Sequence, residues 1–205
     1  MAELGILKER LELLDGIIYH SGTDRSRKFT SEEFHRLTRT GFFKDGERVE
    51  LIEGEVIELP PIGSEHGAAV ERLSSIVRSI VEDRGLVQLH GSIRLFGGCE
   101  PQPDLALLKP RNDAYELALP VPPDILLLVE FADEPGDPNL RRKADLYSAA
   151  GITDYWIVNL PESAVDVLRN PSVSGFAEIN RFTHGEKIAP LAFSQNPIAV
   201  SDVLG

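Results

Sequence analysis

The chain has 205 residues, 42% of them hydrophobic and 26% charged, and 21 Lys and Arg against 33 Asp and Glu leave a formal net charge of -12. That length suits one domain with a buried core, and the composition excludes disordered and fibrous classes. The acidity argues against a surface that holds phosphate by clustered cations alone. A single cysteine, Cys99, excludes an internal disulfide and a Cys-cluster zinc site and fits a reducing compartment.

The opening MAELGILKER carries charges where a signal peptide needs an apolar segment, and no apolar run reaches membrane-spanning length, so a cytoplasmic protein outside the membrane is expected. Leu4, Leu7, Leu11, Leu14 and Ile18 recur at three- and four-residue steps, which predicts an amphipathic N-terminal helix. Its apolar face would meet either a second copy of the chain or the chain's own core. The polar SGTDRSRK segment closes this extension, so residues 1–28 are read as an extension and residues 29–205 as one domain.

Thr30 followed by Glu33 matches a capping box and opens a short helix that stops near Gly41. RVELIEGEVIEL reads as a hairpin turning at Glu53-Gly54 and ended by Pro60-Pro61. Ser64 is placed to cap a long helix whose stripe is Ala69, Val70, Leu73, Ile76, Val77, Ile80 and Val81, with Gly85 as its stop. Strand-like LVQLHGSIRLF and DLALL follow, and the nearly continuous apolar run DILLLVEF predicts a strand buried on both faces at the sheet centre.

Asp137-Pro138 opens the helix PNLRRKADLYSAA, which Gly151 ends. DYWIVNL is the next buried strand, so residues 125–160 form a strand–helix–strand unit that argues for a parallel pair. AVDVLR and FAEINRF read as peripheral antiparallel strands. The sum is a mixed α/β chain with a central sheet flanked by helices.

Two acids stand at strand ends: Asp104 starts DLALL after Pro103, and Glu130 interrupts the aliphatic run of DILLLVEF. A carboxylate beside a buried strand is costly unless paired, hydrogen-bonded or bound to metal. Physics alone leaves two readings open for Glu130: an ion pair with Arg141, Arg142 or Lys143 on the next helix, or a cation shared with Asp104.

VELIEGEV, Glu65-His66, QPDLALL, VEFADEP and the pattern K-x-x-x-Y-x-x-x-G-I-x-x-Y-W-I-V from Lys143 onward follow one another in this order. Together, from about Arg48 to Val167, they resemble the Uma-type family of restriction-endonuclease-like proteins, placed in the PD-(D/E)XK superfamily. The resemblance implies a restriction-endonuclease-like core, and Asp104 and Glu130 as catalytic ligands of magnesium, or of manganese in its place. It also implies DNA as substrate and a homodimer. Lys143 matches the family's helix lysine; it is read as a solvated side chain whose ammonium reaches the strand end.

Glu50 matches an early glutamate that either completes the metal shell or decorates the hairpin. His66 matches a histidine at the start of the long helix, and Gln102 stands where it would orient Asp104 or meet a metal-bound water. Three positions depart from the pattern. Ala132 stands two residues after Glu130 where the superfamily has lysine, Asp133 replaces a serine, and Asn139 replaces an aspartate.

The chemistry implied is metal-dependent hydrolysis of a DNA phosphodiester. Its rivals are a catalytically silent nuclease-fold protein serving as a binding module, which the net charge favours, and a subunit that needs a basic partner chain to hold DNA. No glycine-rich phosphate loop, serine-hydrolase motif or nicotinamide fingerprint competes.

Overall fold

A computed structural model describes residues 11–14 and 17–20 by their backbone, and residues 27–44 and 46–205 with their side chains. The chain divides into two compact units, one formed by residues 1–61 and 94–102, the other by residues 62–93 and 103–205.

The first unit holds β1 (Leu11–Leu14), β2 (Ile17–His20), α1 (Ser31–Arg39), β3 (Arg48–Ile52) and β4 (Glu55–Leu59), with the strands in the order β1-β2-β4-β3. The predicted N-terminal helix is therefore corrected over its described part: Leu11, Leu14 and Ile18 lie in antiparallel strands. Leu4 and Leu7 fall outside the described residues. The register Leu14↔Ile17 leaves two residues in the sequence between the strands, Asp15 and Gly16, the dipeptide that two-residue hairpins favour. Leucines spaced for two helical turns fit a short strand pair equally well, and pairing of Ile17 with Ile57 of β4 extends the sheet.

α1 begins as the sequence predicts. Thr30 accepts from the Glu33 amide, and the Glu33 carboxylate accepts from the Thr30 amide at 3.0 Å. Its buried Phe34 and Leu37 pack with Phe29, Val49, Leu51 and Val56. The β3–β4 hairpin turns at Glu53 and Gly54, both at positive φ (51° and 81°), the paired left-handed geometry that a tight hairpin needs.

The second unit contains α2 (Ser64–Val81), β5 (Leu86–Leu89), β6 (Leu105–Leu108), β7 (Ile125–Ala132), α3 (Pro138–Ala149), β8 (Asp154–Asn159), β9 (Ala164–Ser172), β10 (Gly175–Thr183), β11 (Lys187–Ile188), β12 (Ile198–Ala199) and α4 (Val200–Leu204). Six strands form a mixed sheet in the order β10-β9-β8-β7-β6-β5, in which β7 and β8 run parallel across α3 and the other neighbours are antiparallel. The run ILLLVEFA is central, as its two-sided apolarity requires. Leu127, Val129 and Phe131 join Ala69, Leu73 and Val77 of α2 in the core, and Glu130, one residue out of phase, meets α3.

Two local expectations differ. Gly63, not Ser64, is the cap residue of α2, with no side-chain cap bond, because Ser64 already has helical backbone. The strand expected over LVQLHGSIRLF stops at Leu89: His90 turns into the left-handed region and Gly91 follows.

Candidate functional site

Glu130 is 3% exposed and fully engaged. The Tyr147 hydroxyl donates to Oε1 at 2.8 Å, and Lys143 Nζ stands 3.1 Å from Oε1 and 3.3 Å from Oε2. Residues 143 and 147 lie four apart on α3, hence on one helical face, and α3 packs so that this face meets β7. Lys143 is buried, at 4% exposure, which corrects its reading as a solvated side chain. The strand acid that would be costly alone is compensated by an ammonium and a phenol together.

Asp104 is equally enclosed. Oδ2 accepts the Phe131 amide of β7 at 2.9 Å, while Oδ1 is approached by His66 Nε2 at 3.2 Å and His90 Nδ1 at 3.4 Å. His66, in the first turn of α2, also meets Asp133 Oδ2 through Nδ1 at 3.0 Å, and its ring lies 5.5 Å from that of Phe131. Its Nε2 is close enough to Asp104 for charge attraction but outside hydrogen-bond geometry. Burial pulls the His66 imidazole down, yet Asp104 and then Asp133 outweigh it and raise its pKa to about 9. Burial pushes the Asp104 carboxyl up, and His66, His90 and the Phe131 amide override this to hold it well below the usual carboxylate range.

Backbone pairing relates these residues. The antiparallel registers Leu89↔Leu105 and Leu105↔Val129, continued by one residue, set His90 opposite Asp104 and Asp104 opposite Glu130. The His90 amide donates to the Asp104 carbonyl at 3.1 Å, as that register requires. The side chains are engaged separately: Asp104 by the α2 histidine, Glu130 by the α3 lysine and tyrosine.

Glu50 and Gln102 belong to the first unit. Glu50, buried in β3, accepts the Gln102 amide at 3.1 Å, and the Gln102 side chain donates to the Val49 carbonyl at 2.8 Å. Gln102 thus holds β3 and Glu50. A further buried acid there, Glu100, is paired with His35 at 2.6 Å and Arg94 at 3.1 Å.

His90 and Tyr147 are the site residues that sequence reasoning gave no role. Tyr147 carried a signal, its four-residue spacing from Lys143. Nothing in the local sequence of His90 announces a partner fourteen residues away. Among the described residues no group of three or more His, Cys, Asp or Glu could hold a metal ion. A groove of about 800 Å³ lies along α3, β9 and β10, but its lining includes neither Asp104 nor Glu130 nor Lys143. Its Arg181 is already paired with Asp166 and Glu162.

A mixed six-stranded sheet flanked by helices, with buried acids at register-opposed ends of two central strands, has the architecture of a nuclease-like α/β fold. The chain is similar to a solved structure from Anabaena variabilis ATCC 29413, described as a "putative nuclease belonging to DUF820". The TM-score is 0.70 at 19% sequence identity, over 86% of this chain and 97% of that one, and this likeness carries the fold. The family model Uma2, described as "Putative restriction endonuclease", matches residues 31–201, and the chain belongs to that family. No curated protein matches. Among the described residues no helix is long and apolar enough to cross a membrane.

Proposed function

We propose that the protein is a divalent-metal-dependent endonuclease that hydrolyses DNA phosphodiester bonds. The observation that carries this reading is a backbone register that runs on to set Asp104, the residue before β6, opposite Glu130 of β7, both carboxylates buried and a buried lysine held against Glu130. Hard carboxylate oxygens in a pair suit magnesium, which is commonly bound by one or two protein carboxylates and keeps several waters. Asp104 and Glu130 would hold magnesium, or manganese in its place. Bound there, the ion supplies Lewis acidity toward the phosphoryl group and lowers the pKa of a water.

The chain's own residues do the rest. Tyr147 and Lys143 fix the Glu130 carboxylate, and the Lys143 ammonium stabilises charge that develops on the phosphoryl oxygens. His66, clamped by Asp133, keeps the Asp104 carboxylate ionised. The reading extends to a cytoplasmic homodimer, in which two copies would present two sites to the two strands of a duplex.

A second reading, the silent binding module, is favoured by one specific observation: both acids are already satisfied by protein groups, in a chain of net charge -12. Nicking of supercoiled plasmid separates the two. Under the nuclease reading the parent nicks with magnesium or manganese and not with EDTA, and Asp104→Asn loses about 100-fold or more of that rate. A parent inactive with either ion, whose melting temperature manganese leaves unmoved, would leave the binding module standing.

A further inference from the structure

We propose that the groove along α3, β9 and β10 is a docking site for a helix of a partner protein, apolar on the face it buries and rich in lysine and arginine on its flanks. The groove's lining leaves out Asp104, Glu130 and Lys143, so its occupancy does not depend on the nuclease reading. Its floor follows from the registers of the large sheet. Tyr155 of β8 stands opposite Leu168 of β9, which stands opposite Ile179 of β10, and in the next row Ile157, Asp166 and Arg181 are aligned in the same way. Directly paired residues share a face of the sheet. The Tyr147 ring of α3, 5.0 Å from that of Tyr155, marks this face as the one on which α3 packs.

The two faces of β9 and β10 are covered unequally. On the far face Val165, Val167 and Phe182 pack with Val200 and Val203 of α4 in the main core. On the near face α3 meets β7 through Lys143 and β8 through Tyr147, and beyond it Ile179 is 64% exposed. Neighbouring strands lie about 4.8 Å apart and packed helices about 8–10 Å apart, so one helix covers about two strands. α3 takes β7 and β8; β9 and the edge strand β10 leave room for one more helix. The floor there is preformed, since Leu168 is buried and the Phe176 ring stacks on that of Tyr155 at 5.9 Å. Ile157, Leu168, Phe176 and Ile179 line the groove with apolar surface.

Charge selects the occupant. Asp137, Asp145, Glu162 and Asp166 line the groove against two bases, Arg141 and Arg181. The Arg181 guanidinium is held by Glu162 and Asp166 at 2.7 Å each, and the lining keeps an excess of negative charge. Such a lining repels a nucleic-acid backbone, and a second copy of the chain, itself at -12, brings the same sign. A basic amphipathic helix fits both features. Its stripe at i, i+3, i+4 and i+7 covers Leu168 and Ile179, and its flanking cations face the acids of the groove.

Model peptides test this directly. Three labelled probes, each about five helical turns long, are compared: leucine and lysine with the leucines at helical spacing, the same composition scrambled, and the patterned peptide with glutamate in place of lysine. Anisotropy titrations at about 150 mM salt use the full chain and its Ile179→Asp and Asp145→Lys variants, alongside thermal melts and light scattering. The patterned basic peptide is expected to bind the parent about 10-fold or more tighter than the scrambled one, and the acidic peptide not to bind. Ile179→Asp should weaken the patterned peptide about 10-fold although it adds an acid, and Asp145→Lys about 3-fold. Tighter binding by Ile179→Asp, or equal binding of patterned and scrambled peptides, overturns the proposal, since the acidic chain would then attract lysines wherever they lie. No binding of the patterned peptide up to about 1 mM overturns it as well, as does an acidic peptide that binds equally. A parent of dimeric mass that Ile179→Asp makes monomeric overturns it in favour of a second copy in the groove. Both side chains are exposed, so both variants should melt with the parent. Should Ile179→Asp melt early, Ile179→Ser takes its place with the same loss expected.

Discussion

Lys143 has a structural partner, Glu130, apart from the role proposed for it in the reaction. Its ammonium is buried 3.1 Å from Glu130 Oε1, so truncation leaves a buried carboxylate with Tyr147 as its remaining partner among these three. Breaking a buried pair from one side costs about 3–5 kcal/mol, whereas replacing both charges by neutral groups of similar size is close to neutral. Lys143→Ala is therefore expected to lose that much stability in urea melts, and Lys143→Met with Glu130→Gln to recover most of it. Equal stability of Lys143→Ala and parent would mean that the ammonium is not held where the structure puts it. The pairing of Glu130 with a basic residue of the next helix was one of two alternatives open in the sequence, because an acid in an aliphatic strand needs a partner. Which of Arg141, Arg142 and Lys143 supplies it depends on how α3 is turned against β7, and that follows from packing. The histidines on Asp104 were legible only in part: His66 stood in a motif, while His90 becomes visible once β5 and β6 are paired.

α1, whose signal is a local capping box, begins as the sequence predicts and gives the clearest test. Its capping box joins Thr30 and Glu33 reciprocally, and Arg27 adds a 2.9 Å bond to the Glu33 carboxylate. The Arg27 bond, then the Thr30 amide, lowers the Glu33 pKa from its ordinary 4.5. A carboxyl whose folded pKa lies below its unfolded value contributes stability that is present above pH 4.5 and lost as pH falls through the folded value. Thr30→Ala should cost about 1 kcal/mol near neutrality. Glu33→Gln should reduce the loss of stability on acidification, with unchanged acid sensitivity counting against the cap. The helix expected at the N-terminus failed for a complementary reason. Leucines at three- and four-residue steps do not distinguish two helical turns from a pair of four-residue strands, and the deciding contact, Ile17 with Ile57, is forty residues away. The β5 segment was overextended because a strand's end at a left-handed histidine leaves no compositional mark.

At the scale of the whole molecule, charge decides how DNA would be held. Acids outnumber bases 33 to 21, which gives the formal -12. Several of the bases are already paired: Arg181 with Asp166 and Glu162, Arg169 with Asp154, and Arg94 with Glu100. Lys143, the cation at the site, is committed to Glu130. A protein that binds duplex DNA by displacing counterions shows log K falling with log salt at a slope of about −0.9 for each phosphate neutralised. Acids remain in excess over bases, so under the proposed function attraction would come largely from a divalent ion at Asp104 and Glu130, which would reverse the local sign of the charge. The expected behaviour is duplex binding that EDTA abolishes and calcium restores. Its salt slope should be shallower than about −3 between about 50 and 200 mM salt, because few phosphates are neutralised by side chains. Fluorescence anisotropy of a labelled duplex reads both quantities in one titration series. Binding that survives EDTA with a slope near about −6 would place the affinity on a basic surface, and the carboxylate pair would then have no part in holding the substrate.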